Sequence, residues 1–330
     1  AGAGRVPFSA ASADILEPFR PPVVSFHFGL PAPELVARVK SWGSVVLSSA
    51  TTVDEARWLV AHGADAVIAQ GLEAGGHRGH FLSHDLSQQM GTFALLPQIV
   101  AAVDVPVIAA GGIADEAGVR AAMALGADGV QVGTAYLCSD EALTSPIHRA
   151  ALQSETARHT ALTTLFSGRP ARGIVNRVMR ELGPLNPAAP AFPTATAAIA
   201  PLRAHWEAQG KGDFSPLWSG QNASGCRAAP AADNHHRPDG KPRHARCRPK
   251  RRIRLPGHQR VVLPDAQRRA EGLRRRRLRR HHPDLHGRRG VPLRPLGEEH
   301  GHRFGRVRGV RRRGRQDNRQ RQSQTISEER

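Results

Sequence analysis

Residues 69–81, AQGLEAGGHRGHF, gather an amide (Gln70), a carboxylate (Glu73), two imidazoles (His77 and His80) and a guanidinium (Arg78) among glycines. So many polar groups in a glycine-rich loop suit a site better than a core. Glycine lets backbone N–H groups and a flat ligand come close. An imidazole titrates near neutrality and can accept or return a proton there. His77, set between the glycines, is read as a catalytic base; the alternative for the same residues is a mobile loop with a solvated histidine. The loop follows the apolar run 65–69, the pattern of a strand buried on both faces. These groups therefore stand at the C-terminal end of a strand.

Two further runs end the same way. VPVIAAGGI (105–113) closes on Gly111-Gly112, and ADGVQVGTA (127–135) closes on Gln131-Val132-Gly133-Thr134. Consecutive strands with such ends are similar to the phosphate-binding end of a (β/α)8 barrel. The segments Gly63-Ala64-Asp65-x-Val67 and Gly126-Ala127-Asp128-x-Val130 repeat each other, as stacked units of one barrel should.

Together, AQGLEAGGHRG, VPVIAAGGI and GADGVQVGTAY resemble the nitronate monooxygenases (2-nitropropane dioxygenases), over about residues 23–226. The three motifs in order are specific, whereas the GG and GT pieces alone occur in many phosphate-binding barrels. The resemblance implies an FMN-dependent TIM barrel that oxidises alkyl nitronates with O2 to a carbonyl compound and nitrite. It implies that His77 takes a proton from the carbon beside the nitro group, or holds the nitronate against the flavin. It carries Gln70, Gly75 and Gly76 to positions near the flavin, and Gly111, Gly112, Gln131, Val132, Gly133 and Thr134 to the phosphate grip. Backbone N–H groups and one hydroxyl would bind the anion there. A flavin-dependent enoyl-acyl-carrier-protein reductase is the nearest rival, since its barrel carries a similar Gly-Gly-His loop. It would need NAD(P)H, and no GxGxxG stands in this chain.

The remaining polar residues receive mainly structural readings. Glu73 is expected in a structural hydrogen bond, with a second acid as the alternative; Asp65 and Asp128 at turns; and His80 in water on the loop, with service as the base in place of His77 as the alternative. His27 ends a strand and faces either the barrel mouth or its wall.

The elements that must position these groups follow from periodicity. Strands are expected at 23–28, 45–49, 65–70, 105–110 and 129–133. Helices are expected at 11–16, 33–42, from the capping box at Thr52 and Glu55 to Val60, from about Leu95 to 103 because of Pro97, and at 115–125, 141–153 and 195–209. The segments 166–173 and 216–221 resemble family segments near the barrel mouth. The expected fold is thus α/β, an incomplete TIM barrel with about five of eight parallel strands. The resemblance implies that the first three strands are the missing ones, with a flavin-contacting loop and an asparagine among them. Such an arc would leave unpaired strand edges.

Charge divides the chain into an expected barrel domain, 1–226, and a tail, 227–330. The first holds 15 Lys and Arg against 18 Asp and Glu; the second holds 32 against 10, with 30 of the 32 being Arg. The tail has one Phe, no Trp and no Tyr, and no sustained period, so it is expected to be disordered. Two origins fit it: a basic segment that binds nucleic acid without sequence preference, or GC-rich DNA translated in a shifted frame, which favours Arg, Pro, Gly and His over Lys. Under these readings the chain is an enzyme, a nucleic-acid binder through its tail, or an inactive fragment. Three cysteines with no CxxC spacing point to a reducing compartment, and no apolar run is long enough for a membrane span. Residues 1–5 show no apolar signal core, so a cytoplasmic protein is expected.

Overall fold

A computed structural model describes residues 7–233 together with the backbone of 260–262. All of these lie in the compact unit Ala1–Gly272. Five parallel strands run β1 (Val23–Phe26), β2 (Val45–Ala50), β3 (Ala66–Gln70), β5 (Val107–Ala110) and β6 (Gly129–Val132). A short strand β4 (Gly76–His77) lies between β3 and β5 in the chain and belongs to a second sheet. The parallel strands neighbour one another in chain order, β1-β2-β3-β5-β6. A doubly wound sheet would reverse direction at a switch point; an unbroken order curls into a barrel. The expected half-barrel is what forms.

Helices cover the outer face: α1 (Ala10–Leu16), α2 (Pro33–Ser41), α3 (Val53–Ala61), α4 (Thr92–Ala102) and α5 (Glu116–Ala124). Every residue of β3 and β5 is buried, which is why these strands read as unbroken apolar runs. Leu59 of α3 and Leu95, Leu96 and Ile99 of α4 are wholly buried in the main core, each stabilising the fold by about 1.5–3 kcal/mol.

The Gly-Ala-Asp repeat is one turn used twice. Gly63 and Gly126 stop their helices with φ of 100° and 98°. The N–H of Asp65 donates to Val46 O, and the N–H of Val46 returns to Asp65 Oδ2, both at 2.8 Å. Asp128 does the same with Val107, at 2.7 and 3.0 Å. Each aspartate ties its strand to the preceding one.

Three helix expectations are corrected. α4 begins at Thr92 rather than Leu95, because the Glu73 carboxylate accepts the Thr92 N–H and so holds a first turn ahead of Pro97. Only half of the capping box forms. Thr52 Oγ1 accepts the Glu55 N–H at 3.2 Å, but the buried Glu55 carboxylate turns to the Thr51 and Phe81 N–H groups instead. The helix expected over 141–153 is α6 (Pro146–Leu152). The guanidinium of Arg149 takes the carbonyls of Cys138, Ser139 and Ala142, which wraps the preceding residues into a turn.

Two antiparallel strands, β7 (Thr160–Thr163) and β8 (Ala171–Ile174), were not expected from the sequence; with β4 they form a three-stranded sheet in the order β4-β8-β7. α7 (Arg177–Leu182) and α8 (Ala195–Glu207) follow. Past residue 226, Ala231 packs into the main core, and its N–H donates to Glu141 Oε2 at 2.8 Å. The backbone of β9 (Arg260–Val262) pairs antiparallel with β6, so this part of the tail departs from the expected disorder. The free N–H and C=O groups along the β6 edge provide for that pairing. The rest of the tail lies outside the described residues.

Candidate active site

The C-terminal ends of β3, β5 and β6 open onto one cavity of about 240 Å3. Gln70, Gly75, Gly76, Gly111, Gly112, Gln131, Gly133 and Thr134 all line it. Val132 does not, since its side chain belongs to the main core. Ala74, Ala110, Ile113, Leu137, Trp218, Gly220 and Asn222 complete the lining. Sequence reasoning placed 216–221 near the mouth but assigned none of its residues a role.

Glycine has different causes around this cavity. A Cβ on Gly75 would come within 2.5 Å of the Gly220 backbone nitrogen, so two main chains pass too closely there for any side chain. Gly76, Gly111 and Gly112 hold φ of 74°, 115° and 72°. Gly133 has an ordinary φ of −109°, and a Cβ built on it meets nothing within 4 Å. Its missing side chain leaves the cavity open.

The segment 219–222 ties the three loops together. The N–H of Gly220 donates to Thr134 Oγ1 at 2.9 Å, that of Gln221 to Glu73 O at 2.9 Å, and the amide of Asn222 to Gly112 O at 3.2 Å. Thr134 Oγ1 thus accepts from the protein, while its own proton is not committed among the hydrogen bonds of the described residues. Glu73 takes the structural role expected of it, bonding the Thr92 N–H and hydroxyl.

The His77 loop is pinned from below. Gln70 Nε2 donates to His77 O at 3.0 Å, and Gln70 Oε1 accepts the Gly79 N–H at 2.7 Å, so the amide spans the loop's return. The Arg78 guanidinium, fully buried, bonds Gly71 O, Gln70 O and Gln89 Oε1; burial pushes its pKa down to about 10, which leaves it charged at neutral pH. β4 pairs His77 with Ala171 of β8. The His77 imidazole stands among aromatic rings, with centroids 5.5 Å from Trp218, 5.9 Å from Phe192 and 6.0 Å from Phe28. Its Nε2 is 2.8 Å from Ser167 Oγ. Trp218 is the link between this ring and the cavity it lines.

His27 lies at the mouth and not in the wall. Its Nδ1 is 3.1 Å from Ser49 Oγ, and its Nε2 is 3.3 Å from His77 O. His80 is corrected. It is 1% exposed, not solvated, and neither ring nitrogen has a hydrogen-bond partner among the described residues. A Cβ on the preceding Gly79 would come within 2.8 Å of the His27 ring, so the chain passes closely there, and Arg169 donates to the His80 carbonyl. Among the described residues, no three His, Cys, Asp or Glu side chains are placed to hold a metal, and no helix is long and apolar enough to cross a membrane. Cys138 and Cys226 are free thiols; Cys247 lies outside the described residues.

Residues 7–234 match the family model for nitronate monooxygenase. The chain belongs to the nitronate monooxygenase family. It is 44% identical over 215 residues to a nitronate monooxygenase of Pseudomonas aeruginosa, covering 65% of this chain and 61% of that protein. It is 40% identical over 208 residues to a probable nitronate monooxygenase of Bacillus subtilis, covering 63% and 60%. The chain thus spans about three fifths of the length of these relatives. Among solved structures, it resembles a nitroalkane oxidase from Streptomyces ansochromogenes with a TM-score of 0.64 and 44% identity, covering 68% of this chain and 65% of that one. FabK from Thermotoga maritima follows at a TM-score of 0.54 and 29% identity, covering 68% of each.

Proposed function

We propose that this chain binds FMN and oxidises alkyl nitronates with O2 to a carbonyl compound and nitrite, with His77 as the base when the substrate is a neutral nitroalkane. What supports this reading is the convergence of the His77 loop, the Gly111-Gly112 turn and the Gly133-Thr134 turn on one cavity, in a member of the nitronate monooxygenase family.

The cavity suits a flat anionic cofactor. Its floor is mostly backbone and small residues, and the empty space beside Gly76 and Gly133 is what a side chain would fill. Gly111, Gly112, Gly133 and Thr134 would hold the phosphate, with the Thr134 hydroxyl as one donor. Gln70, Gly75 and Gly76 would lie along the ring, and Trp218 would close the side nearest His77. The flavin, when bound, supplies the electron exchange with dioxygen that no side chain offers. The protein's own part is to bind, orient and shield. Phe28, Phe192 and Trp218 surround the His77 ring, and such an apolar wall would suit the alkyl group of the substrate.

The test is to mix the full chain with FMN, remove free cofactor by gel filtration and record the visible spectrum, then measure nitrite released from a preformed nitronate under air. Co-eluting flavin and flavin-dependent nitrite are expected. A chain that carries flavin but releases no nitrite would defeat the activity; one that carries none would defeat the cofactor assignment.

A further inference from the structure

We propose that Ser167 is the positioning residue for His77, holding the imidazole in the tautomer protonated at Nε2. The proposal rests on the reading of His77 as the base, and it adds a residue to which that reading gives no role.

Ser167 is buried at 5% exposure and stands 90 residues from His77 in the chain, yet its Oγ is 2.8 Å from His77 Nε2. The same Oγ lies 3.2 Å from Arg169 O and 3.4 Å from the Arg169 backbone nitrogen. A hydroxyl has one proton and two lone pairs. Donation to Arg169 O, with acceptance from the Arg169 N–H and from His77 Nε2–H, uses all three. Turning the hydroxyl proton toward Nε2 would give up the bond to the Arg169 carbonyl. The turn is therefore satisfied best when the imidazole brings the proton, which places the ring's lone pair on Nδ1, the nitrogen that would receive the substrate's proton.

The turn is held where it stands. Gly168 has a φ of 86°, and a Cβ on it would meet Pro190 O at 2.2 Å. The hydroxyl of Thr196 donates to Phe166 O at 2.9 Å. On the other side, the His77 backbone is fixed through Gln70 and the pairing with Ala171. Both partners thus stand on fixed supports, and the hydrogen bond between them is partly buried, with Phe28, Phe192 and Trp218 around the imidazole. A hydrogen bond that sets a histidine tautomer also sets which nitrogen does the chemistry.

The experiment labels histidine with 15N in the full chain and reads the two ring nitrogens of His77, assigned by their loss in His77→Asn. A protonated Nε2 and an unprotonated Nδ1 are expected. Ser167→Ala should give mixed tautomers and a moved titration midpoint, and Ser167→Thr should restore the first pattern. With FMN and a neutral nitroalkane, Ser167→Ala should lower kcat about tenfold, within the ~100-fold or larger contribution of a general base. KM and the rate on a preformed nitronate should hold. A wild-type His77 protonated at Nδ1, or a tautomer pattern unmoved in Ser167→Ala, overturns the proposal. If the tautomer series behaves as expected while the wild type oxidises no nitronate, the Ser167 pairing stands and the reading of the function fails.

Discussion

The carboxylate of Glu73 accepts both the backbone N–H and the hydroxyl of Thr92, at 2.8 and 2.9 Å, and so joins the loop after β3 to the first turn of α4. A carboxylate in a glycine-rich loop beside the histidine proposed as the base invites a role as a second acid. Its bonds say otherwise: they cap a helix that lacks the backbone N–H of its sixth residue, Pro97. Glu73→Ala should lower stability by about 1 kcal/mol, the usual worth of such a cap, read as a fall in the urea midpoint with an unchanged slope. Glu73→Gln should keep nitrite release within a few-fold of wild type. A loss of a hundredfold or more there would make Glu73 part of the chemistry.

Gly75 and Gly133 separate two uses of glycine that look alike in sequence. Gly75→Ala forces a methyl group against the Gly220 backbone and should destabilise the fold by about 2 kcal/mol, in the range of overpacking. Gly133→Ala meets no protein atom and asks for no unusual φ, so thermal stability without cofactor should not change. The methyl group would instead occupy the cavity and weaken FMN binding about tenfold, or roughly 1.4 kcal/mol. Fluorescence titration of FMN beside a melting curve checks both. The reverse pattern would move the cofactor away from the Gly133 turn.

How far the sequence could be read depended on where each element takes its partners. The Gly-Ala-Asp turns were legible because all they need is local: a glycine to stop the helix and an aspartate to reach the preceding strand. β3, β5 and β6 announced themselves as apolar runs because helices or neighbouring strands cover both faces. β8 did not, since its Arg172 is buried and breaks the apolar pattern. That burial is possible only because the guanidinium meets Leu72 O and Thr160 Oγ1, 100 and 12 residues away. Ser167 was hidden for the same reason, its partner being 90 residues distant. His80 misled because the glycines before it and His84 after it have the composition of a solvated loop, and nothing local reveals the ring's burial.

The tail gives an expectation that depends on charge alone. Residues 227–330 carry a net charge of +22, with one aromatic residue to stack on a base. Binding to DNA or RNA by counterion release should weaken steeply with salt and ignore sequence. Anisotropy with several labelled oligonucleotides, from low salt to about 200 mM, measures it. A preference for one oligonucleotide persisting at the upper end would make recognition a selected property of the tail.

His80 should make the fold sensitive to acid. Burial pushes its pKa down to about 4 from 6.5, with the Arg169 charge adding to the effect, those of His84 and Arg78 adding less, and Glu55 opposing it. Folded chains therefore keep the ring neutral down to about pH 4, while unfolded chains take up a proton near 6.5. Between those values the unfolded state binds more protons, so stability falls as the pH is lowered, by at most about 3 kcal/mol from this one group. Above about pH 6.5 the contribution no longer changes. His80→Phe keeps a ring of similar size, removes two buried nitrogens without hydrogen-bond partners among the described residues, and cannot titrate. Urea unfolding at several values between pH 4 and 8 should show a shallower loss of stability in the variant, while every other ionisable group is common to both proteins and cancels in the difference. Parallel curves for the two proteins would mean that the ring reaches water in solution and that its burial does not govern the acid limb.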